Sequence, residues 1–66
     1  MDITDKRHDA TVAARHEAEA ALGYLSGAIW AESQPRVGSL LGYSLRSLKK
    51  AVAALEAAGV TEPKTN

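Results

Sequence analysis

The sequence predicts an all-α fold: an antiparallel two-helix hairpin that self-associates into a dimeric four-helix bundle. Three observations lead there. Apolar residues recur at helical spacing through two long stretches, about 4–32 and about 35–58, which meet at a single proline, Pro35. The join between them is too short for anything but antiparallel neighbours. The first stretch also carries two apolar faces, whereas a two-helix hairpin uses only one.

Helix 1 opens near Asp2, Thr4 and Asp5, whose side chains are candidate caps and whose acids suit the positive end of a helix. Alanines at 10, 13, 14, 18, 20, 21, 28 and 31 then favour helix, and no proline interrupts them. Ser33-Gln34-Pro35 ends the helix, because the residue before a proline is pushed out of the helical region. One apolar face runs through Ala14, Ala18, Ala21, Leu22, Leu25 and Ile29. The other runs through Ala13, Ala20, Gly23, Gly27, Trp30 and Ala31.

Helix 2 begins at about Pro35, a residue suited to a first helical turn, with Ser33 or Gln34 as its cap. Its leucine stripe, Leu41, Leu45, Leu48, Val52 and Leu55, is the expected partner of the Leu25 face of helix 1. Ser44 falls within the apolar stretch and is expected to bond back to the Leu40 carbonyl. Gly59 supplies the left-handed residue that ends the helix, and Val60 is placed to fold back onto Leu55. The hairpin domain is thus 1–60, with 61–66 as a flexible tail. Antiparallel pairing about Gln34 sets Leu25 level with Tyr43 and Ala18 level with Val52, and leaves Asp5 to His8 overhanging the end of helix 2.

Sixty-six residues without phenylalanine or cysteine give little to bury and nothing to cross-link. Self-association is the remaining source of stability, and the surplus face Ala20, Gly23, Gly27, Trp30 and Ala31 is its candidate interface. Gly23-x-x-x-Gly27 and Gly38-x-x-x-Gly42 have the spacing that lets helix backbones approach closely. The charged N-terminus lacks an apolar leader core, and no segment is apolar for long enough to span a bilayer, so the expected location is cytoplasmic.

Net charge is zero but unevenly spread. Residues 1–33 hold six acids against Lys6, Arg7 and Arg15, while 36–58 hold Arg36, Arg46, Lys49 and Lys50 against Glu56. Arg36, Tyr43, Arg46 and Lys50 share one side of helix 2, a candidate phosphate-binding stripe in which cations neutralise phosphate and the tyrosine stacks on a base. Asp5 and His8 have the i, i+3 spacing of metal ligands on a helix, the basis of a ferritin-like alternative, although no metal or other cofactor is expected. No nucleophile–base constellation or phosphate loop is present in the sequence, so catalysis is not expected.

The architecture resembles the Rop type of RNA-binding dimeric hairpin, and Trp30-Ala31-Glu32 near the turn resembles the WXG-type secreted hairpins with Glu32 at the glycine position. Leu45-x-x-Leu48-x-x-Ala51-Val52, ending in Ala57-Ala58 and preceded by Arg36, is similar to the second helix of phage hairpin proteins that sequester cyclic nucleotide signals. That resemblance implies a nucleotide-binding alternative. The reading that the residues themselves favour is a small non-enzymatic interaction or adaptor protein, a bacterial or phage regulator or inhibitor, that forms homo-oligomers and binds a protein partner.

Overall fold

The computed structural model describes residues 3–63. Two helices account for nearly all of them: α1 (Ile3–Trp30) and α2 (Gln34–Ala57), packed against each other as an antiparallel hairpin. Asp2, one of the candidate caps of α1, and residues 64–66 of the expected tail lie outside the described residues.

Helix α1 stops two residues before the expected end at 32, and the Ala31 N–H donates to the Ala28 carbonyl at 3.4 Å, a tightened final turn. Ser33 is the cap of α2. Its backbone is extended (φ −112°, ψ 141°) and its hydroxyl accepts from the Arg36 N–H at 3.3 Å, with Pro35 in the first turn. At the far end Gly59 takes φ +82° and its N–H donates to the Glu56 carbonyl at 2.9 Å, while the Val60 N–H donates to Leu55 at 3.1 Å. This pair of bonds is the Schellman arrangement, and it brings Val60 beside Leu55 and Val52 as expected.

The seam between the helices differs from the expected one. Its centre is made of small residues: Ala10, Ala14 and Ala21 from α1, and Ser44 and Ser47 from α2, are the buried residues. Glu17, Tyr24 and Ala28 extend the α1 line, and Val37, Leu40, Ala51, Ala54 and Ala58 the α2 line, all half-buried. Both lines alternate steps of three and four residues, the spacing of an antiparallel coiled coil. Leu22, Leu25, Ile29, Leu41, Leu45, Leu48 and Val52, expected to face one another inside the hairpin, are instead exposed.

Size complementarity explains the difference. Alanine and serine on both helices let the backbones approach along their whole shared length, so the longer side chains are turned to the flanks. Ser44 fits because a back-bonded hydroxyl occupies little space and leaves no unpaired polar atom. Ser44 Oγ donates to the Leu41 carbonyl at 2.8 Å, one residue from the Leu40 carbonyl expected. The register agrees with a turn near Gln34: the Tyr24 and Tyr43 rings lie 5.5 Å apart between centroids. A Cβ on Gly27 would touch Leu40 Cδ1 at 3.5 Å, placing the α1 glycine against the α2 seam. Asp5 to Asp9 are exposed ahead of Ala10, the first buried residue, as the overhang requires.

The Cα envelope measures 47 × 31 × 13 Å, one helix layer thick. A single layer of two helices has two broad flanks and no interior beyond its seam.

Candidate functional site

The two flanks differ in chemistry. In an antiparallel pair, residues to one side of the seam on one helix lie beside those on the same side of the other. The Tyr24–Tyr43 and Gly27–Leu40 approaches therefore put the small-residue strip of α1 and the basic stripe of α2 on one flank. The leucines of both helices share the opposite flank.

That leucine flank presents Leu22, Leu25 and Ile29 from α1 and Leu41, Leu45, Leu48 and Val52 from α2. Leu22 is 64% exposed, Ile29 76% and Leu45 54%. By contrast, the described residues contain no large side chain that is fully buried. The chain exposes 5546 Å². A folded monomer of its 7.0 kDa mass exposes about 4000 Å². The excess, about 1500 Å² on one chain, is about twice the 800 Å² or so that each partner gives to a standard protein interface.

The other flank is built from Ala13, His16, Ala20, Gly23, Gly27 and Trp30 on α1, and Arg36, Ser39, Tyr43, Arg46 and Lys50 on α2. Trp30 is 83% exposed, so it does not fold over the turn to cap the hairpin core. Of the expected interface residues, Ala20, Gly23, Gly27 and Trp30 lie on this exposed surface, and Ala31 is half-buried at the end of the seam. The candidate phosphate-binding residues Arg36, Tyr43, Arg46 and Lys50 are all exposed and line three shallow depressions in a row along α2, neighbours sharing Ser39 and Tyr43 or Gly42 and Arg46. Tyr24 packs its ring, tilted by 40°, against that of Tyr43 and so supports the tyrosine from α1.

Among the described residues the one ion pair is Arg15 Nε to Glu19 Oε1 at 2.8 Å, between two largely exposed side chains one helical turn apart. The cations of α2 have no carboxylate partner within the described residues. The charge asymmetry of the two halves therefore does not stitch the hairpin together, and the basic stripe is free to meet an external anion.

Asp5 and His8 stand exposed on the overhang, and no group of three or more His, Cys, Asp or Glu side chains comes together among the described residues. Nor is any described helix long and apolar enough to cross a membrane. Of the seam, Ala14 and Ala21 fall on the expected contact face of helix 1, whereas Ala10, Glu17, Tyr24 and Ala28 were not read as facing α2, although Ala14, Ala21 and Ala28 recur every seven residues. Compared with known proteins, the chain matches no family, no curated protein and no solved structure.

Proposed function

We propose that the chain is a non-enzymatic helical interaction protein that works as a homodimer, two hairpins stacked leucine flank to leucine flank as a four-helix bundle, with the opposite flank left to a macromolecular partner. The observation that carries this reading is the single exposed sheet of seven large aliphatic side chains on a molecule whose own core is alanine and serine. Such a patch on a monomer is a standing drive to associate. Its removal from water supplies what a 66-residue chain lacks for stability.

A second copy is the occupant that the surface itself favours. The flank is nearly free of charge along its centre, so it meets its own image without burying an unpaired ion. Pairing through the opposite flank is disfavoured, because the α1 strip from Ala13 to Trp30 holds no carboxylate to neutralise the partner's basic stripe.

Leu45→Glu tests the assignment. Leu45 is 54% exposed in the hairpin, so the substitution leaves the seam intact, but in the dimer it buries a carboxylate against leucines. The expected outcome is a monomer by sedimentation at micromolar concentration, with the wild type dimeric under the same conditions. A variant that stays dimeric would remove the leucine flank from the interface.

A further inference from the structure

We infer that the flank opposite the leucines is a binding surface for single-stranded nucleic acid. The inference rests on the dimer reading only in that stacking through the leucines leaves this flank uncovered, once on each side of the bundle.

Three features converge there. Arg36, Arg46 and Lys50 project along one side of α2 with no carboxylate partner among the described residues, so binding a polyanion breaks no existing ion pair. An aromatic ring stands among these cations: Tyr43, 50% exposed, lines the same depressions as Arg36 and Arg46. The row of depressions is shallow and open. Gly42, which lines it, has nothing within 4 Å of where a Cβ would stand, and Ser33 and Ser39 line it with hydroxyls.

The chemistry of this row selects the ligand. Cations alone suit any acidic surface, including an acidic protein. An exposed ring beside them adds a π-face on which an unpaired base stacks, a feature of single strands and not of duplexes, whose bases are already stacked on one another. Length agrees with a polymer: fourteen residues separate Arg36 from Lys50, about 21 Å of helix. A stacked strand at about 3.4 Å per nucleotide spans that distance with about six nucleotides.

The test is fluorescence anisotropy with end-labelled single-stranded RNA and DNA oligomers of about twice that length, on the full chain, with the oligomeric state measured by sedimentation on the same samples. Three to four phosphate contacts predict an affinity that falls about 20- to 50-fold between 50 and 200 mM salt. Arg46→Glu is expected to weaken binding at least tenfold, and Arg36→Gln severalfold, without changing dimer mass or helicity. Tyr43→Ala should cost about 5- to 100-fold while leaving the salt dependence unchanged, since stacking involves no counterion.

Absence of binding at low salt by a sample that sediments as a dimer would overturn the inference and leave the dimer standing. Loss of the dimer with binding retained would do the reverse. Equal or tighter binding of a duplex, or displacement of the oligomer by polyglutamate as effectively as by unlabelled RNA, would also overturn it, the latter in favour of an acidic protein partner.

Discussion

At the scale of single residues, size and not hydrophobicity decides which side chains meet inside the hairpin. Ala21 is 1% exposed and Ser44 3%, at the middle of a seam where each backbone lies close to the other. Ala21→Leu inserts three carbon atoms with no space to receive them and should destabilise the protein by about 1–3 kcal/mol. Ala20→Leu, one residue away on the exposed flank, should change stability by no more than about 0.5 kcal/mol. Urea unfolding of the two variants checks the contrast, and equal effects would show that the seam is not where α1 meets α2. Several residues of this kind were legible in the sequence for local reasons. Ser33 before Pro35 and Gly59 before Val60 act through bonds to neighbours three to five residues away, so their chemistry needs no knowledge of the fold.

At the scale of the helices, the number, order and ends of the elements were readable because proline, glycine and capping residues punctuate them. The facing side was not. Helix α1 has apolar residues spread round its circumference and is barely amphipathic, so periodicity alone does not orient it. Helix α2 has a clear stripe, but its leucines are most apolar where the structure is most open. The strongest hydrophobic signal marks a surface left uncovered by the chain itself, and the weaker alanine–serine pattern marks the contact within it. The basic stripe was legible as a set, because its four residues share one side of a single helix. The tyrosine pair beside it joins residues nineteen apart, and the expected register, with Leu25 level with Tyr43, came within one residue of it.

Charge favours one order of helices in the proposed bundle. With Tyr24 opposite Tyr43, Glu19 lies level with Leu48, so stacking α1 on α2 of the partner sets Glu19 on one outer edge beside Lys49 of the partner subunit. Acidic α1 over basic α2 is the favourable order. Glu19→Lys and Lys49→Glu should each weaken the dimer a fewfold, two symmetric rim pairs at about 0.2–1 kcal/mol apiece, and the double exchange should restore it. Additive weakening in the double variant would indicate that like helices stack instead.

At the scale of the whole molecule, the hairpin is a single layer of two helices. Its excess of about 1500 Å² of exposed surface over a compact monomer of the same mass is about twice what one partner gives to a standard interface. In the proposed dimer the two flanks divide the work: leucines join hairpins, and the small, aromatic and basic residues stay outside on both faces of the bundle. Folding and association become one equilibrium in such a protein, with helicity and melting temperature rising with concentration. Sedimentation equilibrium on the wild-type chain at micromolar concentration, with helicity followed on the same samples, tests this most directly. The expected result is a mass twice the 7.0 kDa of the chain and loss of helix as dilution separates the protomers. A fully helical species of 7.0 kDa that keeps its helicity on dilution would contradict it.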